Sequence, residues 1–204
     1  MPNWCSNQIA FYQDDGGCAL LEAFHADIQK YVNYRDPDTG RYSNWAGHWL
    51  ESNRINPDSV SCRGSFDSCE LYSDHVIIFM ETAWGPIPEL WEKLAEKYGL
   101  YYVYIAEECG CELYINTDSA GRFFSTKFVL NYFELDYLEI DAELMSEYRD
   151  RLKELGEETR YYYDLEEVLQ DFEGFGFHAT NLEELNKCLE KFGLEVYEFS
   201  SGEE

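Results

Sequence analysis

Residues 70–82 read Glu-Leu-Tyr-Ser-Asp-His-Val-Ile-Ile-Phe-Met-Glu-Thr. Ser73 and Asp74 are turn formers set between two β-rich runs, so the stretch predicts a short strand, a tight turn and a longer strand. Trp84-Gly-Pro-Ile-Pro88 stops the second strand. Pro88 suits the first turn of a helix, where its missing N–H costs nothing. That helix runs to Tyr98 with Leu90, Trp91, Leu94 and Tyr98 on one face, and Gly99 ends it. Leu100 to Ala106 is β-rich again.

Residues 7–13 read as a strand, and Asp14 to Gly17 as a turn. Cys18 to Val32 is an amphipathic helix, because Leu20, Leu21, Phe24, Ile28 and Tyr31 recur at helical spacing. The order strand-helix-strand-strand-helix-strand is the ferredoxin-like pattern, an antiparallel sheet with helices on one face, and places the chain in the α+β class. The expected core is Ile9, Phe11, Leu20, Leu21, Phe24, Ile77, Phe79, Leu90, Trp91, Leu94, Val103 and Ile105. Residues 33–67 interrupt this order. They are rich in Asn, Asp, Ser, Gly and Pro, with aromatic islands at Trp45, Trp49 and Phe66, and predict an irregular insertion holding at most one short helix.

Beyond residue 106 the pattern predicts a turn at 107–110, a returning strand over 111–116, a turn at 118–121 and a long strand over 122–133 of the same meander. Residues 1–133 are thus expected to form an α+β domain. Residues 134–204 are expected to be an acidic, mainly helical extension packed on it. Helices are predicted over 141–155, 163–172 and 181–192, and a last strand over 194–199. Asn181 and Glu184 have capping-box spacing.

The 204 residues carry 41 Asp and Glu against 15 Lys and Arg, a net charge of −26. Residues 134–204 hold 22 acidic and 6 basic residues, so 22 minus 6 leaves net −16 there. Such a field repels phosphate backbones and anionic membranes, so direct nucleic-acid binding and membrane association are not expected. A basic protein partner is. No run approaches 18 apolar residues, so no membrane span is predicted. The seven cysteines are scattered, and the opening seven residues show neither a basic region nor an apolar run. Reduced thiols and a cytoplasmic location follow as expectations.

Met1-Pro-Asn-Trp-Cys-Ser-Asn7, together with Thr82-Ala-Trp-Gly-Pro86, Trp91 and the segment from Tyr104 through Glu107 to Gly110, resembles the YubB-like family of plasmid and phage proteins. The resemblance covers about the first 118 residues. It implies a ferredoxin-like domain and a mobile-element context, and it carries no activity. In this chain Cys111-Glu-Leu follows Gly110, where that family has an aromatic and a second glycine.

Candidate sites each have a structural alternative. Cys109-Gly-Cys111 lacks the spacing and second pair of a zinc ribbon, and Glu107, Glu108 and Glu112 beside it should raise the thiol pKa values. No metal or other cofactor is expected. Asp36-Pro-Asp-Thr-Gly40 is too short of ligands for a calcium loop. A Cys5–His48 nucleophile pair is conceivable, but no orienting residue or oxyanion hole accompanies it, and no enzyme is expected. Aromatic residues on the sheet, such as Tyr101, Tyr102 and Phe128, could stack bases, yet no basic RNA-binding signature flanks them. Trp4, Asn7, Trp45, His48, Trp84 and Tyr104 could line an aromatic groove, or could plug and seal the core. Glu157, Glu158, Asp164, Glu166, Glu167 and Asp171 could form an acidic interaction surface, or a merely solvated face. The leading expectation is an acidic interaction protein of a bacterial mobile element, with nucleic-acid mimicry as one form. The alternative is a small-ligand or nucleic-acid binding module that uses the aromatic groove.

Overall fold

A computed structural model of the chain describes residues 3–14, 18–131, 159–174, 176–190 and 194–202. Among the described residues the fold is α+β with two antiparallel sheets, and the chain divides into two units, residues 1–119 and 120–203.

In the first unit the elements run β1 (Trp4–Tyr12), α1 (Cys18–Val32), α2 (Gly47–Ser52), β2 (Gly64–Leu71), β3 (His75–Ala83), α3 (Pro88–Tyr98), β4 (Tyr101–Glu108) and β5 (Leu113–Asn116). The sheet order is β2-β3-β1-β4-β5, with every neighbouring pair antiparallel. The central strand β1 turns Cys5, Asn7, Ile9 and Phe11 toward the helices, and all four are buried. Opposite them stand Thr82, Met80, Ile78 and Val76 of β3. Leu21, Phe24 and Ile28 of α1 and Leu90, Trp91 and Leu94 of α3 complete this core. Phe11 meets Phe24 at 4.7 Å between ring centres, and Trp91 meets Tyr104 at the same distance.

Pro88 opens α3, and Gly99 closes it in the left-handed region at φ 65°, where only glycine is free of steric cost. The amide of Leu100 then donates to Ala95 O at 3.0 Å, which satisfies a carbonyl of the last turn.

Three expectations are corrected here. Leu20 is 45% exposed, and Ile77, Phe79 and Val103 are only half-buried. The strand Val76-Ile-Ile-Phe-Met80 is apolar at every position, so alternation could not say which face turns inward. Pairing with β1 decides it for Val76, Ile78 and Met80. The insertion expected over 33–67 includes the first four residues of β2, besides α2 and a 3-10 turn at Pro57–Ser59. Residues 44–46 lie along the outer edge of β2: Phe66 N donates to Asn44 O and Ala46 N to Gly64 O, both at 2.9 Å. They occupy an edge that would otherwise be open to pairing with another chain.

The third correction concerns the meander. Phe128–Asn131 (β6) does not extend the first sheet. It is the central strand of a second sheet between β7 (Thr159–Tyr162) and β8 (Glu195–Glu198). With α4 (Leu165–Glu173) and α5 (Leu182–Leu189), the described part of the second unit holds both helices and a sheet. Its core gathers Phe128, Leu130, Tyr162, Val168, Phe172, Leu185, Leu189 and Val196. Asp164 caps α4 by accepting from Glu167 N, and Asn181 caps α5 by accepting from Glu184 N, both at 2.9 Å. Each of these glutamates also reaches back to an amide just outside its helix, at Tyr163 and Thr180. The helix predicted over 141–155 lies outside the described residues. Among the described residues, no helix is long and apolar enough to cross a membrane.

Candidate functional site: a tryptophan groove

Large apolar side chains left in water are the informative exceptions on a protein surface. Trp4 is 56% exposed, Trp84 51% and Trp45 36%, whereas Trp49 and Trp91 are buried. Trp4 and Trp45 line one open groove of about 330 Å³ with Ser43, Asn44, Arg63, Gly64, Ser65 and Ala83.

Local sequence explains the shape. Trp4 sits on β1 directly opposite Ala83 of β3, and so small a neighbour leaves the indole uncovered. Gly64 presses against β3 so closely that a Cβ would stand 2.8 Å from Glu81 O and 2.7 Å from Thr82 Cγ2. Small residues therefore keep the floor low. On the far wall, Trp45 is held from several sides. Its Nε1 donates to Cys62 O at 3.0 Å, and its backbone bridges to Ser65. Its ring lies over Gly47, where a Cβ would come within 2.2 Å. The His48 ring packs edge-on against it at 5.1 Å and stacks on Tyr34 at 4.3 Å. The nitrogens of His48 meet Glu51 Oε2 at 3.1 Å and Ser43 Oγ at 3.0 Å. The wall is thus pre-organised, with the polar groups of Ser43, Asn44, Arg63 and Ser65 around it.

Acidic groups stand close by. Glu81 pairs with Ser65 across the strands, and Ser65 Oγ donates to Asp67 at 3.0 Å. Burial, then repulsion from Asp67, raises the Glu81 carboxyl above the ordinary glutamate range, against the hydrogen bond from Ser6.

The six proposed groove residues are not all brought together. Trp4 and Trp45 share the groove, and His48 buttresses it. Trp84 lies outside the groove lining. It adopts φ 74°, unusual for a bulky residue, and its amide donates to Asn3 O at 2.9 Å, so it does not seal the sheet–helix interface. Asn7 is buried and bonded within the core, donating to Cys5 O (2.7 Å), Met80 O (3.2 Å) and Thr82 Oγ1 (2.8 Å). Tyr104 is a core residue against Trp91. Arg63, Ser43, Asn44 and Ser65 were missed because they fall in the segment read as irregular.

Cys5 and His48 have separate surroundings. Cys5 is fully buried beside Asn7, and burial, helped by the charges of Glu108 and Glu81, pushes its thiol up to about 12. A thiol so reluctant to ionise is a poor nucleophile. Cys109 is raised by burial and by Glu107 and Glu108, and Cys111 by its hydrogen bond to Glu108. No group of three metal-ligating side chains occurs among the described residues. Asp36 accepts from the amides of Asp38 and Thr39, an Asx turn.

On the acidic surface, Asp164 and Glu167 are the caps of α4. Asp171 accepts from Tyr162 at 2.9 Å and pairs with Arg160 at 3.2 Å. Glu166 accepts from Gln170 at 3.0 Å on the exposed side. Glu157 and Glu158 lie outside the described residues. Neither a protein-family model nor a curated protein matches the chain, so the site is read from its geometry alone.

Proposed function

We propose that the first unit is a binding module whose ligand sits in the groove between Trp4 and Trp45. The observation that carries this reading is the pair of exposed indoles, one of them held in place from several sides, over a floor of small residues ringed by hydrogen-bonding groups. Aromatic platforms with a few polar groups fix the face and the edge of a ring-bearing ligand. Net charge −26, with Asp67 and Glu81 nearby, opposes a simple anion. Arg63 in the lining opposes a simple cation as well, so the ligand is neutral or zwitterionic, with a flat face for the indoles and hydroxyl-like groups for Arg63, Ser43 and Ser65.

The β-α-β-β-α-β order and the run β2-β3-β1-β4 support a ferredoxin-like core extended by β5. Membership of the YubB-like family, a mobile-element setting and a cytoplasmic location are parts of the same proposal. Mimicry of nucleic acid draws less support, since Asp164, Glu167 and Asp171 serve the unit's own caps and ion pair.

Titration of the full chain with a panel of neutral saccharides and nucleosides, followed by tryptophan fluorescence, tests the groove. At least one class should bind saturably and lose affinity in Trp45→Ala and Arg63→Met. No response to the whole panel, or equal binding by both variants, would overturn the reading.

A further inference from the structure

The second unit carries a groove of a different chemistry, independent of the tryptophan groove. Val168 and Phe172 of α4 point into their own core, but Leu165 and Leu169, one turn apart on its flank, stay half-buried. After α4 the chain doubles back: Gly176 N donates to Glu173 O at 2.9 Å and Phe177 N to Phe172 O at 3.1 Å, with Gly176 at φ 87°. This return sets Phe177 and Ala179 beside the same flank and leaves an open groove of about 460 Å³. Its walls are apolar, from Leu165, Leu169, Phe177 and Ala179. Glu166, Gln170 and Glu173 follow one another along the helical rim at spacings of four and three, a single stripe on α4.

Among the described residues, that rim is negative and holds no lysine or arginine. Glu166 and Glu173 are both exposed. Among the described residues, the one ion-pair contact to either is from His178 to Glu173, at 3.9 Å. An apolar trough beside the exposed carboxylates of Glu166 and Glu173 complements an amphipathic segment of opposite charge. The exposed length of α4, nine residues at about 1.5 Å each, matches about two turns of a second helix.

We infer that this groove docks a basic amphipathic helix of a partner protein. Two apolar side chains one turn apart enter between Leu165, Leu169 and Phe177, while Lys or Arg beside them reaches Glu166 and Glu173. This gives the acidic half of the chain a defined contact, rather than a diffuse charge effect.

The test uses the full chain and two synthetic helical peptides of about 15 residues, roughly four turns. Both carry the same leucine stripe, one on a lysine background and the other on a glutamate background. Binding is read by fluorescence anisotropy at low and at physiological salt. The lysine peptide should bind, more weakly as salt rises, and the glutamate peptide should not. Glu166→Lys with Glu173→Lys should weaken binding by about tenfold or more, because the rim then repels the peptide. Glu190→Lys with Glu195→Lys makes the same charge change at exposed residues outside the groove lining and should cost about twofold at most, since solvent and salt screen charges that do not touch the peptide. Leu169→Ser, checked for fold by circular dichroism, should lose binding with the rim intact. The inference is overturned if the lysine peptide does not bind, if the distant pair costs as much as the rim pair, or if folded Leu169→Ser binds as well as the parent. Should Leu169→Ser fail to fold, the two charge pairs alone decide.

Discussion

Gly47→Ala perturbs the groove without touching its open face. A Cβ at residue 47 would lie 2.2, 2.3 and 2.5 Å from three atoms of the Trp45 ring. Ordinary carbon contacts are about 3.5–4.0 Å, so the ring must retreat by roughly 1.5 Å. The backbone at Trp45 cannot follow, because it is bridged to Ser65 and Ala46 N is bonded to Gly64 O. The side-chain torsions must turn instead, and the Nε1 bond to Cys62 O is lost. That bond contributes about 0.5–1.5 kcal/mol, and an off-rotamer torsion costs a similar amount. Alanine returns up to about 1 kcal/mol of helix propensity at the start of α2. The expected net loss is about 0.5–2 kcal/mol, with a larger effect on groove binding than on stability. All five tryptophans lie in residues 4–91, so their fluorescence during urea denaturation reports the first unit alone. Acrylamide quenching should increase as the indole is pushed outward. Unchanged quenching together with unchanged ligand affinity would refute the packing argument.

Three further outcomes follow from the core and its charges. Asn7→Ala removes three buried hydrogen bonds and should cost about 2–4 kcal/mol in urea denaturation; a cost below about 0.5 kcal/mol would return Asn7 to the list of ligand-facing residues. Leu94→Ala should cost about 2–5 kcal/mol and Leu20→Ala less than about 0.5 kcal/mol, measured the same way, because only Leu94 is buried. Burial alone would raise the Asp27 carboxyl, but hydrogen bonds from Tyr98, Lys30 and Lys97 outweigh it and hold the pKa below the ordinary value. A depressed folded pKa gives stability that is present above the unfolded value of about 3.9 and lost as pH falls through the folded one. Asp27→Asn should therefore be less stable than the parent at pH 7, with the gap closing below about pH 4; a gap independent of pH would contradict this.

Helices with strong periodicity and end signals were legible in the sequence. Cys18–Val32 and Pro88–Tyr98 have the bounds their leucine and aromatic spacing predicts, and the Asn181–Glu184 cap forms as its spacing requires. Strand faces were less so, because the uniformly apolar run 76–80 has no alternation to read. The strand at 128–131 was visible but its partners were not, since pairing with Thr159–Tyr162 and Glu195–Glu198 joins residues far apart in sequence. Of the candidate groove, the tryptophans stood out, but Arg63 and the serines did not. They become neighbours only when residues 44–46 fold onto the edge of β2. Asn7 misled for the opposite reason: a polar residue three positions from a tryptophan looks like a ligand contact until the strand turns the two to opposite faces and its three core partners are seen.

The central claim is that Trp4 and Trp45 together face a ligand. Its most direct measurement is the ¹H–¹⁵N spectrum of the indole N–H groups during titration with the saccharide and nucleoside panel. The account predicts saturable shifts of the Trp4 and Trp45 signals for at least one class. The buried Trp49 and Trp91, and the exposed Trp84 outside the groove lining, should stay in place. Static Trp4 and Trp45 signals across the whole panel, or shifts shared equally by Trp84, would contradict it.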